Sequence, residues 1–303
     1  MSLGAAGCDS SDDSGNDPGY TSTPRTTDAT APSPAMPDPT PAQATTTTST
    51  PSSGTSNSAT ADSGMTVAVP QESPWGPGTV FGVRPYTRGS TELSICTAAF
   101  SFTAPNKAGG SYTPAYAVTA GHCGEPGDDV YALDANDEPD YSQPVGRFVY
   151  SSLQPSQDST GMDWAILEIK DTTADMSEPT PSIPTNLAMS PPPTGVDACQ
   201  YGATTGEQCG YLDSAQTEKT RGDYGNIEVM WVNVCARPGD SGGPNYATVR
   251  GEEVIVGITD VGDNSVDQCL SADQEANGVA PMWKVMDELT KKMPDAYIDT
   301  YSL

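Results

Sequence analysis

The distribution of hydrophobic positions changes abruptly near Trp75. Before that residue the chain consists mainly of Ser, Thr, Pro, Ala and Asp, and after it short apolar runs alternate with clusters of Pro, Gly, Asn and Asp. Runs rich in small or β-branched residues and bounded by turn residues predict β-strands. The strands predicted in this way cover residues 91–102, 116–120, 145–150, 164–169, 227–234 and 253–259.

One segment near the C-terminus has helical periodicity instead. Met282, Val285, Met286, Leu289 and Met293 follow the i, i+3, i+4, i+7 spacing of an apolar helix face. Two lysines in the last turn complement the helix dipole. Many short strands followed by a single helix predict an all-β sandwich or barrel with a helical clasp.

The first part of the chain has the composition of a linker. Residues 1–74 contain too few apolar side chains to offset the entropy of ordering them, so we expect them to be disordered. The resulting division is a short segment over 1–8, a Ser/Thr/Pro-rich linker over 9–74 and a folded domain over 75–303. This last stretch contains all four tryptophans and all four phenylalanines.

The chain is strongly acidic, with a formal net charge of −27. This charge argues against nucleic acid and anionic lipid surfaces as partners. We interpret the acids mainly as a solvated surface that keeps the protein soluble, and a preference for basic substrates is the alternative. We expect the folded domain to be a monomer.

The cysteines indicate the compartment. Of the seven cysteines, six lie within 75–303 and Cys8 stands alone near the N-terminus. An even set within one domain predicts three structural disulfides, of which fifteen pairings are open, and an extracytoplasmic location. No CxxC is present and the chain has one histidine, so we expect no zinc site, no other metal site and no cofactor.

Cys8 ends a short small-residue box, Ala5-Ala6-Gly7-Cys8. This box is similar to the end of a bacterial lipoprotein signal, in which the cysteine is lipidated, and we expect lipid on Cys8 with residues 9–74 as a stalk. The basic and apolar regions of such a signal do not precede the box here, so a chance match stays open. No run approaches the roughly 18 apolar residues of a membrane span, so attachment would be through lipid.

Three short segments contain the elements of a serine nucleophile. The only histidine, His122, ends a small-residue turn; Asp163 begins an apolar run; and Ser241 lies among glycines. A serine hydroxyl becomes nucleophilic when an imidazole takes its proton, and a carboxylate fixes the imidazole tautomer. The order His, Asp, Ser is one in which such sites are built. The backbone N–H groups of Gly239 and Ser241 would stabilise the oxyanion.

The same segments carry a family resemblance. TAGHC (119–123), DWAIL (163–167) and CARPGDSGGP (235–244) resemble the trypsin/chymotrypsin superfamily, and specifically its secreted bacterial, streptogrisin-like branch. CQYGATTGEQCG (199–210) is similar to the small disulfide loop of that branch. The resemblance implies two six-stranded antiparallel β-barrels with a C-terminal helix. It also implies a serine endopeptidase acting on proteins or peptides.

Site residues follow from the resemblance. It implies the catalytic residues His122, Asp163 and Ser241 at the interface of the barrels. It also implies the disulfides Cys96–Cys123, Cys199–Cys209 and Cys235–Cys269. Asn233, Gly262 and Gly278 are expected to line the specificity pocket. Since Asn233 replaces the aspartate of trypsin-like pockets, and the only histidine is already in the triad, we expect medium or large apolar side chains at the cleaved position.

The chain departs from the resemblance at several points. Asp260 occupies the place of a serine that supports the catalytic carboxylate in relatives, and we expect it to be an outward, solvated acid. The alternative is a second acid in the site, which would raise one pKa. No Ile-Val-Gly-Gly segment and no folded propeptide are recognisable, so the mode of activation stays open. The acidic segment 134–140 lies where some relatives hold calcium, and we expect a solvated loop there.

Two other functions fit parts of the pattern. A catalytically silent trypsin-like scaffold could act as a cell-surface binding or sensor module. Such scaffolds usually lack a triad residue or the oxyanion glycine, and this chain has them all. An esterase with the same triad would place its nucleophile between a strand and a helix, which this all-β pattern does not predict. The sequence therefore favours a peptidase.

Overall fold

The protein is built from two β-sheets, one of seven strands and one of nine, together with one α-helix within the described residues. The computed structural model describes residues 64–85, 94–134, 138–153, 161–179, 182–222, 225–262, 269 and 275–303. All of them belong to one unit, Ala59–Leu303. Cys8 and the linker up to residue 63 lie outside the described residues.

The seven-stranded sheet closes into the first barrel. Its order is β3-β2-β6-β7-β8-β5-β4 with antiparallel neighbours. Only Ala98 and Ala99 separate β3 from β4, so these two segments form one bent strand and the ring has six positions. The strands are β2 (Val80–Arg84), β3 (Ser94–Thr97), β4 (Phe100–Thr103), β5 (Ala115–Thr119), β6 (Asp129–Tyr131), β7 (Gly146–Ser151) and β8 (Ala165–Ile169).

Six strands of the larger sheet form the second barrel. The pairings run β13-β10-β11-β12-β15-β14, and an additional pairing between β13 and β14 closes the ring. Its strands are β10 (Asp197–Gly202), β11 (Gly206–Gly222), β12 (Gly225–Asn233), β13 (Pro244–Val249), β14 (Glu252–Val261) and β15 (Asn277–Pro281). The predicted fold class, two six-stranded antiparallel barrels with a C-terminal helix, is therefore confirmed.

Three further strands extend the second barrel at β14. They are β9 (Leu187–Ala188), β1 (Thr66–Pro70) and β16 (Ile298–Ser302), in the order β14-β9-β1-β16. β1 lies within the stretch assigned to the linker, so the boundary at Trp75 is corrected: packing begins before it. Met65, Val67 and Ala68 are buried, and averaging over a polar stretch concealed this short apolar run.

Removing β1 should destabilise the folded domain. Loss of the buried Met65 and Val67 side chains is expected to lower the free energy of unfolding by about 3–6 kcal/mol. Denaturant unfolding of chains that begin at Gly64 and at Trp75 measures this. Equal stabilities would show that β1 adds nothing and would restore the boundary at Trp75.

The C-terminal helix, α1 (Met282–Lys292), joins the two barrels. Its buried residues include Met282, Val285, Met286 and Leu289, the face that the periodicity predicted. The indole Nε1 of Trp164 donates to Glu288 Oε2 at 2.9 Å, and the Lys292 ammonium lies 3.9 Å from the centroid of the Tyr150 ring. Helix α1 therefore contacts the residue that follows Asp163. In the part of the chain that the structure describes, no helix is long and apolar enough to cross a membrane.

Each barrel contains disulfides, three in all among the described residues, and they are the pairs that the resemblance implied. Cys96–Cys123 joins β3 to the turn that contains the histidine. Cys199–Cys209 joins directly opposed residues of β10 and β11. Cys235–Cys269 joins the end of β12 to the chain before β15. Each bridge constrains a loop near the residues described next.

Candidate active site

His122 and Asp163 are held together by two hydrogen bonds. β5 ends at Thr119, and the following 3₁₀ turn, Gly121–Cys123, carries the histidine. The His122 backbone N–H donates to Asp163 Oδ1 at 2.8 Å, and His122 Nδ1 lies 2.7 Å from Asp163 Oδ2. Asp163 is only 3 % exposed. The carboxylate therefore fixes the imidazole with Nδ1 inward and Nε2 directed away from it.

Two serines at the end of β7 fix the loops on either side of this pair. The Ser151 hydroxyl donates to the Gly121 carbonyl at 2.8 Å. The Ser152 hydroxyl donates to the Met162 carbonyl at 2.6 Å and accepts from the Trp164 N–H at 2.9 Å. Both serines are buried. Sequence reasoning assigned them no role, because a Ser-Ser pair after a strand is also typical of an ordinary turn.

Ser241 lies against the strands of the first barrel that lead to the histidine. The Thr97 N–H donates to the Ser241 carbonyl at 2.8 Å, and the Cys123 Sγ lies 3.8 Å from the same oxygen. A Cβ on Gly242 would overlap the Thr119 Oγ1. Glycine is required there because the loop of Ser241 and the end of β5 are in direct contact. The loop of Ser241 therefore lies beside the turn that carries His122.

The loop before Ser241 has an unusual backbone conformation at Gly239. Its φ is +104°, which strains any residue other than glycine, and a Cβ there would overlap Thr204 Oγ1. The Thr97 hydroxyl donates to the Gly239 carbonyl at 3.1 Å. Among the described residues, the N–H groups of Gly239 and Ser241 meet no acceptor.

A fully buried carboxylate, Asp240, holds this loop in shape. Its Oδ1 accepts from the N–H groups of Thr204 and Thr205 at 2.8 and 3.0 Å. Its Oδ2 accepts from the Arg237 N–H and the Thr205 hydroxyl, both at 2.8 Å. The Thr-Thr pair was noted as part of a motif, but sequence reasoning missed its role. A buried carboxylate needs hydrogen-bond donors. That requirement is the signal from which the role of the Thr-Thr pair could have been predicted.

The Trypsin family profile matches residues 80–275. The chain belongs to the Trypsin family. This is a serine-protease family, and membership implies protein or peptide substrates. No curated protein matches the chain significantly in sequence.

Solved structures of bacterial proteases are similar to the chain at low identity. Thermobifida fusca Protease A is 20 % identical with a TM-score of 0.47, over 76 % of this chain and 100 % of that chain. Cellulomonas bogoriensis chymotrypsin is 19 % identical with a TM-score of 0.45, over 75 % and 98 %. Nocardiopsis protease is 20 % identical with a TM-score of 0.44, over 75 % and 98 %.

Asp260 lies inside this Trypsin-family site, which corrects the expectation of a solvated acid. It is 8 % exposed, and one of its carboxylate oxygens lies within 4.8 Å of ligand atoms of His122 and Asp163. Neither of its carboxylate oxygens has a hydrogen-bond partner among the described residues. Burial first, and then the negative charge of Asp163, raise the pKa of Asp260 well above its ordinary value. The alternative left open by the sequence, a second acid in the site, is the observed one.

Asp260 should make the stability of the protein depend on pH. In the folded state it keeps its proton at pH values at which the unfolded chain, with a pKa near 3.8, releases it. Stability is therefore full below this value and falls as pH rises, until the raised pKa of the folded state is passed. Asp260→Asn cannot titrate, so its stability relative to Asp260 should rise above pH 4 by as much as about 1.4 kcal/mol per pH unit. Denaturant unfolding in a Ser241→Ala background from pH 4 to 8 measures the difference, and parallel curves would contradict the assignment.

The donor atoms of His122, Asp163 and Asp260 lie within 4.8 Å of one another. A cation there would have to displace the proton between His122 Nδ1 and Asp163 Oδ2.

The acidic segment near residue 134 is exposed, unlike the cluster around Asp260. Asp134, Glu138 and Asp140 are exposed, as expected for a solvated loop, and residues 135–137 lie outside the described residues.

The expected pocket residues lie on the second barrel. Asn233 ends β12 and is half-buried. Gly278 is the register partner of Trp231, and a Cβ at Gly278 would lie 3.3 Å from that indole. A Cβ at Gly262 would lie 2.5 Å from the Ala236 carbonyl oxygen. Between residues 262 and 275 only Cys269 is described. The other residues of that segment lie outside the described part of the chain.

Sequence reasoning also missed a buried ion pair next to these residues. Arg237 Nη2 lies 2.8 Å from Glu275 Oε1, and Nη1 lies 3.1 Å from Glu275 Oε2. Both side chains are buried. The pair connects the loop before Ser241 to the chain that enters β15, and its two-point geometry makes the connection rigid.

Proposed function

We propose that this chain is a serine endopeptidase that uses His122, Asp163 and Ser241 and passes through an acyl-enzyme intermediate. The observation that carries the proposal is the pair of hydrogen bonds from His122 to a buried Asp163, beside the loop that holds Ser241. Membership of the Trypsin family supports peptide-bond hydrolysis as the reaction.

Acylation begins at the Ser241 hydroxyl. His122 Nε2 takes the proton as Ser241 Oγ attacks the carbonyl carbon of the scissile bond. Asp163 keeps the Nδ1–H tautomer and stabilises the imidazolium that forms. The N–H groups of Gly239 and Ser241 receive the negative charge on the carbonyl oxygen. The tetrahedral intermediate collapses as the imidazolium gives its proton to the leaving amine, which leaves an ester on Ser241.

Deacylation repeats these steps with water as the nucleophile. His122 Nε2 takes a proton from water, the hydroxide attacks the ester carbonyl, and the same N–H groups stabilise the second oxyanion. The proton then returns to Ser241 Oγ as the carboxylic acid leaves. The Asp240 contacts keep the loop of Gly239 and Ser241 in one conformation throughout, so the N–H groups need no rearrangement.

The proposed substrates are proteins or peptides with a medium or large apolar side chain at the cleaved position. Asn233 offers no negative charge for a lysine or arginine side chain, which supports this preference. The three disulfides are typical of extracytoplasmic proteins. We propose that the enzyme is secreted or held at the outer face of the cell membrane by lipid on Cys8.

A cleavage profile on a defined peptide library tests this function. The full chain should cleave peptide bonds with one consistent preference, after apolar residues, and Ser241→Ala should leave no cleavage. Ser302→Ala, an exposed serine on β16, is the matched control and should cleave like the parent chain. Cleavage that persists in Ser241→Ala, or no cleavage by the parent chain, would reject the proposal.

A further inference from the structure

Asp260 is placed by the same backbone that positions the nucleophile. The Gly242 N–H donates to the Thr259 carbonyl at 2.8 Å, and the Thr259 N–H donates to the Gly243 carbonyl at 2.9 Å. These two bonds connect β14 to the two residues that follow Ser241. The backbone that leads into Asp260 is therefore held by the pairing that also holds the Ser241 loop.

The two buried carboxyl groups have very different hydrogen-bond surroundings. Asp163 accepts two N–H groups of His122, at 2.8 and 2.7 Å. Asp260 accepts none from any residue that the structure describes. Two carboxylates this close together and buried cannot both be ionised at modest cost, so one holds a proton. Asp260 has no donor to stabilise a negative charge, so the proton lies on Asp260.

We propose that Asp260 is a positioning residue of the catalytic site: a neutral carboxylic acid whose O–H is presented to the Asp163 carboxylate. Asp163 would then be supported from two sides, by His122 and by Asp260. The carboxyl pair has a single negative charge, located where it can stabilise the imidazolium. This inference rests on the proposed peptidase function, since Asp260 acts through Asp163 and touches no reacting atom.

The proton on Asp260 is a spectator during turnover. Ser241 gives its proton to His122, and His122 gives it to the leaving amine, while Asp260 keeps its own. The described acids and imidazole that face Asp260 are His122, on the 3₁₀ turn, and Asp163, on the loop before β8. If Asp260 lost its proton, a second negative charge would hold the imidazolium more tightly and weaken its ability to return the proton.

Two substitutions test the hydrogen-bond donor of Asp260 separately from its ability to carry a charge. Asp260→Asn keeps a donor and cannot ionise, and Asp260→Leu has a similar size and no donor. We expect Asp260→Asn to retain kcat within about threefold. Asp260→Leu should lower kcat by about 10- to 100-fold, as for a lost hydrogen bond to a charged group, with KM changed less than about threefold. The alkaline side of the pH profile should be flatter in Asp260→Asn than in the parent enzyme.

Infrared spectroscopy with carboxyl-labelled aspartate tests the proton without turnover. In the Ser241→Ala chain at pH 7, a protonated-carboxyl C=O band is expected, and adding Asp260→Asn should remove it. Absence of the band, or equal kcat for Asp260→Leu and Asp260→Asn, would overturn the proposal. A divalent cation that copurifies with the parent chain and is lost in Asp260→Asn would also overturn it, because the cation would then neutralise the pair. If the parent chain cleaves no peptide, the proposed function fails, and the infrared result still decides where the proton is.

Discussion

Replacing Ser241 or His122 with alanine should lower kcat by about 10⁵- to 10⁶-fold, and replacing both should cost no more than either change alone. The residues act as a unit: without the imidazole the hydroxyl keeps its proton, and without the hydroxyl the imidazole has no nucleophile to activate. Steady-state hydrolysis of one good peptide from the library, measured for the two single variants and the double variant, gives the comparison.

Ser302→Ala serves as the control for handling and folding, since that serine is exposed on an edge strand. Circular dichroism and the three disulfides should be unchanged in every variant. Losses that multiply in the double variant would mean that Ser241 and His122 act independently. That result would contradict a shared proton transfer.

Asp163→Asn should lower kcat by about 10⁴-fold at neutral pH. Asp163 Oδ1 and Oδ2 face two N–H groups of the same histidine. An amide has only one acceptor oxygen, so its NH₂ group must oppose one of these donors. If it opposes Nδ1, the imidazole changes tautomer and places its proton on Nε2, where Ser241 needs an acceptor. The steady-state rate on the same peptide measures the loss.

Asp213→Asn is the matched control, because Asp213 is an exposed acid on β11. It removes the same charge from the chain and should leave kcat within about twofold. An equal fall in both variants would attribute the effect to net charge. A fall of less than about tenfold in Asp163→Asn would remove Asp163 from the proposed mechanism.

The sequence predicted the family and many of the strands, because these depend on local patterns. β5, β7, β8, β12 and β14 coincide with predicted apolar runs, and α1 with the helical periodicity. Strands such as β10 and β11 were missed, since many of their positions are half-buried or exposed and polar. A ladder of hydrogen bonds to neighbours, which the sequence does not display, decides their structure.

The burial of Asp260 could not be predicted from the residues next to it in the sequence. An acid on a strand usually faces solvent, and that rule led to the expectation of an outward side chain. On β14, however, every residue from Val254 to Asp260 is buried. Helix α1 packs against this strand and the neighbours β13, β15 and β9 pair with it. Which face is covered depends on these distant elements, so the burial of Asp260 could not be read from its neighbours in sequence.

Labelling with a fluorophosphonate probe tests most directly whether Ser241 is the nucleophile. The probe phosphonylates an activated serine, so one adduct per chain is expected, located on Ser241 by peptide mass spectrometry. Labelling should disappear in Ser241→Ala and fall strongly in His122→Ala. An adduct at another serine, or labelling that is unchanged in His122→Ala, would contradict the account.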